Sequence, residues 1–414
     1  MILFNNYLEG SLSSAFLQKI EGVRDCTVDK KQIIEDLRDR CVLGQASYVQ
    51  APLQVVDASK VSCLKALGHY FRAPLHRLAM QTVLAASLDS ERRRQWLDDL
   101  RWQQGKALLD RNIAVFRIAL QDDEGIKYDG VLSGRLEDMI AGRLVLRLGG
   151  NAEPYETSFE GQTLLHSESG FATVQINPPA VGRSQGKPLA STMAEAARLG
   201  ILFVEAISKQ YQQQRQNQKA KIVLKGFSLG AGALAEAMAS HCFKTEDANY
   251  MVMSINTFGR LSDVPAGMVS QFVRQPILRK VCHTVCSIAN GIFRVLGVEM
   301  DGVRTAQRLS ELGIPQIVIQ ACYQCEGKMK VLDDGIIAGR VALLTRLLEN
   351  NIMHKKIVIP NISFSEKMVR RQEGSGNPKF LHCDIDDEIV VNLLDNFDEI
   401  VKQERVDLEF PTNC

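Results

Sequence analysis

The stretch KIVLKGFSLGAGALAEAMAS, residues 221–240, couples a β-branched run to an Ala-, Leu- and Met-rich helical pattern through Gly226-Phe227-Ser228-Leu229-Gly230. In a G-x-S-x-G turn the strand-to-helix bend is so tight that the serine is held in a strained conformation. Its hydroxyl then stands above the sheet at a helix N-terminus, where backbone N–H groups can stabilise an oxyanion. Gly226 and Gly230 meet the need for small neighbours, and Ala231-Gly232 extend the small-residue surface into the helix. The plain alternative is an inert serine in a Gly-rich turn. A serine hydroxyl is not an alkoxide near neutral pH, so a nucleophile needs a base, and the base needs an orienting acid. Beyond the helix after Ser228, the histidines to weigh are His283, His354 and His382.

Such a serine must be positioned by a strand, and the sequence supplies a set of them. From about residue 112 the chain reads as a hairpin, NIAVFRIALQDDEGIKYDGVLSG, turning at Asp122-Asp123-Glu124-Gly125. Apolar, β-rich stretches follow at 143–148, 172–176, 221–226, 250–256, 315–321 and 355–361, separated by helical ones. Buried strands alternating with helices imply a parallel sheet covered on both faces. No G-x-G-x-x-G follows an early strand, which argues against a dinucleotide-binding domain.

Three further segments bear on the chemistry. LVLRLGGNAEPYE (144–156) follows an apolar strand and resembles an H-G-N-A oxyanion loop, with Gly149 where that motif has His. VQINPPAVGRSQGKP (174–188) resembles a D-Y-R-G-x-G-x-S-x-G loop, with Gly182-Arg183-Ser184-Gln185-Gly186 as its core and Pro178-Pro179 in place of the aromatic-basic pair. INTFGRLSDV (255–264) resembles the stretch after the strand that follows the nucleophile. In this order, the segments resemble the α/β-hydrolase-fold serine hydrolases, closest to the esterase and acyl-thioesterase-like subgroup that includes eukaryotic protein depalmitoylases. The N-terminal helical region and the altered motifs also resemble hydrolase-like effectors of intracellular bacteria such as Legionella.

The resemblance implies an α/β fold: a mostly parallel sheet with an antiparallel N-terminal hairpin and helices on both faces. It implies Ser228 as nucleophile in the elbow formed by Gly226 and Gly230, with backbone N–H groups of Leu229 and of Asn151 or Ala152 as the oxyanion hole. Chain order in this fold is serine, acid, histidine, which selects His382, after the last strand and before an amphipathic helix. His283 precedes the acid strand, and His354 precedes the last strand. For the acid, Asp334 sits before a hydrophobic pair as the family pattern has it, with Asp333 and Glu326 as alternatives. Its loop carries Cys322-x-x-Cys325, a single thiol pair that reads more readily as ordinary buried cysteines than as half of a metal site. No metal and no organic cofactor is implied.

The wider organisation follows. Residues 1–108 read as a helical accessory or docking region suited to a protein partner, 109–414 as the hydrolase domain, and 262–313 as a lid or cap insertion. An apolar lid favours an acyl ester or thioester substrate and offers a peripheral contact with membranes. The composition is 45% hydrophobic and 23% charged with a net charge of +1, so no basic face is expected to neutralise nucleic-acid phosphates. The ten cysteines are scattered rather than framework-like, and neither a signal peptide nor a spanning segment is evident. A cytoplasmic protein, or one translocated from a bacterium into a host cell, is expected. The rival to an esterase or thioesterase is a degenerate hydrolase scaffold acting as a protein-binding module, motivated by Gly149, Pro178-Pro179 and the irregular acid loop.

Overall fold

The structure, a computed structural model, describes residues 48–50, 91–151, 153–210, 218–264, 275, 277, 280–281, 284, 300–320, 322–325, 328–331, 337, 339–350, 357–358 and 387–402. The strands are β1 (Tyr48–Gln50), β2 (Ala114–Gln121), β3 (Lys127–Gly134), β4 (Arg143–Leu148), β5 (Ala172–Ile176), β6 (Ala220–Phe227), β7 (Ala248–Ile255) and β8 (Gln316–Ile319). They are followed by β9 (Cys322–Cys325), β10 (Lys328–Val331) and β11 (Ile357–Val358). The helices are α1 (Glu91–Asp110), α2 (Leu136–Ile140), α3 (Phe159–Glu168), α4 (Ala190–Gln210), α5 (Leu229–Ser240), α6 (Gly302–Glu311), α7 (Leu343–Glu349), α8 (Asp387–Asp395) and α9 (Phe397–Lys402).

The main sheet runs β1-β2-β3-β5-β4-β6-β7-β8-β11. β3 is antiparallel to both β2 and β5, and every other neighbouring pair is parallel. The opening hairpin turns where the sequence predicts: the Asp122 carboxylate accepts the N–H groups of Glu124 and Ile126, at 3.0 and 2.8 Å. Strand order and direction are those of the α/β-hydrolase fold, with β1 added at one edge. The acid loop departs from expectation, because β9 and β10 pair as a separate antiparallel hairpin.

Alternation along the strands sends side chains to two cores. Leu144, Leu146, Ile222, Leu224, Tyr250 and Val252 meet α4 and α5 on one face. Val145, Val223, Met251, Met253 and Ile255 meet α3, α8 and α9 on the other. The helix after His382 is amphipathic as its sequence suggests, with Val390, Leu393 and Leu394 buried.

Two expected boundaries differ. The division near residue 108 falls within α1, whose Leu108 is buried against Val115, Val131 and Phe159 of the sheet domain, and Tyr48–Gln50 of the supposedly helical region pair with β2. Arg101 of α1 is a further link to the sheet domain, and it is only 2% exposed. It reaches Asp129 on β3 at 3.1 Å and Glu156 at 2.6 Å. Burial pushes Asp129 up, but Arg101 and Arg117 outweigh it and hold the carboxyl below its ordinary range. Likewise, the end of the expected lid is a structural helix. α6 buries Val303, Ala306 and Leu309, and Thr305 donates to the Ala235 carbonyl at 2.8 Å. Arg308 satisfies the carbonyls of Met238 and His241 at the C-terminus of α5. Most of 265–299 lies outside the described residues. Among the described residues no helix is long and apolar enough to cross a membrane.

Removing Arg101 leaves buried Glu156 with only the Asn177 amide, and Asp129 with Arg117 as its remaining cation, among the described residues. Arg101→Met is therefore expected to destabilise the fold by about 3–5 kcal/mol, measured as a lowered urea midpoint with an unchanged slope.

Candidate active site

β6 ends and α5 begins at Ser228, with φ 51° and ψ −117°, outside the regions open to residues with a side chain. Hydrogen bonds on both sides of the residue hold this conformation. The Ser228 N–H donates to the Ile255 carbonyl at 2.9 Å, and the Ser228 carbonyl accepts from Thr257 Oγ1 at 2.9 Å and from the Ala231 N–H at 3.2 Å. The end of β7 thus grips the serine on both sides. Its side chain does not cap α5.

The turn closes this tightly because backbone touches backbone. A Cβ on Gly226 would collide with the Ala231 backbone, and one on Gly230 with the carbonyls of Leu148 and Gly149. The loop after β4 therefore lies directly against the start of α5, and a Cβ on Gly150 would stand 3.5 Å from that of Ser228. Leu229, buried, occupies the first position of α5, so its N–H has no acceptor within the helix. Asn151 is exposed in the facing turn.

Of the residues read from sequence, Ser228, Leu229, Gly226, Gly230 and Asn151 come together at the C-terminal ends of β4 and β6. Ala152, Asp334, His382 and the alternatives Asp333 and Glu326 lie outside the described residues, as do His283 and His354. Ser184, in the second loop, accepts the Asp129 N–H and donates to the Asn177 carbonyl, each at 2.9 Å. Arg183 pairs with Asp98 and Glu91 of α1. Both roles are structural.

Sequence reasoning passes over a buried polar layer beneath the site. Gln175, Arg147 and Lys225 stand side by side across β5, β4 and β6. Arg147 hydrogen-bonds Gln175 at 3.4 Å and Glu153 at 2.5 Å. Lys225 donates to Gln162 Oε1 at 2.9 Å and lies 3.0 Å from His166 Nε2. Nδ1 of His166 is 2.9 Å from Thr173 Oγ1. Burial, reinforced by Arg147, lowers Lys225 to about 7 against the partial opposition of Asp387 and Glu153. Burial and the same two cations push His166 well below its usual range, so the imidazole is neutral. The available signal is a second cation, at the penultimate or antepenultimate position, that follows an unbroken apolar run: Arg147 in RLVLRL and Lys225 in AKIVLKGF.

No family model matches the chain, and no curated protein matches it in sequence. Among solved structures it is similar to the esterase Pf2001 of Pyrococcus furiosus, at 11% identity over 65% of this chain and 91% of that one, with a TM-score of 0.40. It is similar to an esterase of Pyrobaculum calidifontis, at 12% identity over 78% and 98% of the two chains and a TM-score of 0.38. An alpha-beta hydrolase of Vibrio vulnificus is similar at 12% identity, over 69% and 92%, with a TM-score of 0.40.

Two outcomes follow from this geometry. Glycine adopts the Ser228 backbone conformation without strain whereas alanine does not, so Ser228→Gly should exceed Ser228→Ala in stability by about 1 kcal/mol in denaturant melts. The unfolded chain holds the Lys225 proton up to its ordinary range near 10.5, while the folded chain releases it near 7. Raising the pH across that interval therefore relieves a penalty that is complete below pH 7. The stability advantage of Lys225→Met over the wild type should be largest below about pH 7 and narrow, above it, by about 1.4 kcal/mol per pH unit towards pH 9.

Proposed function

We propose that this chain is a serine hydrolase that cleaves a carboxylic ester or thioester through an acyl-enzyme. The observation that carries the reading is Ser228, held at φ 51° on a turn closed by glycine contacts and facing the loop after β4. Strain of this kind, worth about 1–3 kcal/mol, persists only where the surroundings over-determine it, and it clusters at functional sites.

In this reading Ser228 Oγ attacks the acyl carbon while His382 takes its proton. The tetrahedral oxyanion is met by the N–H of Leu229 and that of Asn151 or Ala152, which lower the barrier without reorganising. Collapse expels the alcohol or thiol, which receives the proton from His382. Water, activated by the same imidazole, then releases the acid. Asp334 holds the imidazole in the correct tautomer and stabilises its protonated form. The assignments of His382 and Asp334 rest on chain order and on the family pattern. The preference for an acyl substrate, and a peripheral membrane contact, rest on the apolar stretch 281–298.

The test is labelling of the purified protein with a fluorophosphonate probe, which phosphonylates an activated serine. The wild type should label within minutes, Ser228→Ala not at all, and His382→Ala at least 100-fold more slowly, on the order expected for loss of a general base. A folded wild type that does not label, including after detergent is added to displace an apolar cover, would leave the binding-scaffold reading in its place.

A further inference from the structure

The loop that faces Ser228 is tied back by one carboxylate. Glu153 closes a turn on Gly150 from both directions: its N–H donates to the Gly150 carbonyl at 3.3 Å, and its Oε2 accepts the Gly150 N–H at 2.7 Å. Its other oxygen, Oε1, takes the Arg147 guanidinium at 2.5 Å. Arg147 is itself buried on β4, with Gln175 alongside. The Gly150 N–H is engaged in this way by the Glu153 carboxylate.

The same arrangement accounts for Gly149. A Cβ there would stand 2.9 Å from the Glu153 carbonyl oxygen and 3.1 Å from Oε2. Any larger residue at 149, including the histidine of the resembling motif, would displace the carboxylate. We infer that Glu153 is a positioning residue which, anchored by Arg147, fixes the 150–153 turn so that a backbone N–H of that turn meets the oxyanion formed at Ser228. Burial opposes ionisation of Glu153, but Arg147, the Gly150 N–H and Ser158 outweigh it and keep the carboxyl below its usual range. Both oxygens therefore accept, as the geometry requires. A glutamine cannot replace it, because its amide offers one acceptor oxygen where two donors converge.

This inference rests on the hydrolase reading, and the experiment separates the two. Hydrolysis of p-nitrophenyl butyrate is followed in the wild type, Glu153→Gln and Arg147→Met, with active sites counted by fluorophosphonate titration at completion. The expected result is a kcat per titrated site lowered about 10- to 100-fold in both variants, short of or equal to the loss of one oxyanion donor. KM should stay within twofold, and Ki for an aliphatic trifluoromethyl ketone, whose adduct places an oxyanion in the hole, should rise in parallel with the loss in kcat/KM. An active wild type with variants whose kcat per titrated site is unchanged, the loss appearing only as fewer sites or a lower Tm, overturns the role of Glu153 alone. If Glu153→Gln fails to fold, Arg147→Met decides by the same criteria. A wild type that neither labels nor turns over overturns the hydrolase reading and this inference with it.

Discussion

Main chain packed directly against main chain is the constraint on which the rest depends. At the C-terminal ends of β4 and β6, the Gly230 backbone lies against the carbonyls of Leu148 and Gly149, and Gly226 against that of Ala231. Side chains of ordinary size would wedge these segments apart, move Ser228 away from the Asn151 turn and release the grip of Ile255 and Thr257. The energetic logic is that of a jigsaw with no slack: a shift of one element costs packing in several others. The serine's backbone strain is local, whereas the contacts that hold it come from β4, β7 and α5.

A second consequence concerns the two faces of the sheet. The face under α4 and α5 is apolar along its whole length, from Ala114 through Tyr250, and this core carries the stabilising burial. The opposite face is apolar in its middle and polar near the strand ends, where Arg147 and Lys225 stand on adjacent strands in direct register. Like charges so placed repel, and burial adds to the cost. The structure offsets it with Glu153 on one cation and with the neutral groups Gln162 and His166 on the other. Lys225 yields part of its charge. That division of labour is set by partner chemistry: a guanidinium meets a carboxylate in a fixed fork, and an ammonium shifts its proton more readily when buried.

How far the sequence discloses this follows from the range of the interactions. The strands at 143–148, 172–176 and around 221–226 are legible because each is a short apolar run between turn signals, and the hairpin turn because Asp122 acts on residues two and four positions away. The elbow is legible for the same reason, since Gly226, Ser228 and Gly230 act within five residues. Arg101 is not: its partners Asp129 and Glu156 are 28 and 55 positions distant, and one arginine among several in a charged helix carries no local sign of burial. The contact of α1 with β3 therefore becomes visible only in the folded chain. Arg147 and Lys225 are cations inside apolar strands, an anomaly visible in the letters but without meaning until register places them side by side. The proposed acid and base rest on chain order and on the family pattern, since residue spacing alone does not select a carboxylate or an imidazole in the long stretches after β8 and β11.

Glu153 joins these scales. It acts on Gly150 three residues before it, a local contact of the kind tight turns contain, and on Arg147 in the buried layer beneath the sheet ends. The local contact alone would fix the shape of the turn but leave it free to rock on the end of β4. The ion pair to a buried guanidinium, itself braced by Gln175, attaches that shape to the rigid sheet. An oxyanion donor is effective only if its direction is set before charge develops, because reorganising it during the reaction would return the energy it supplies. In the role proposed for it, the pair Arg147–Glu153 meets that requirement through a buried guanidinium, and Gly149 leaves the room in which the carboxylate sits. The departure from the resembling motif at Gly149 is thus compensated within four residues, so it does not by itself argue for a vestigial site.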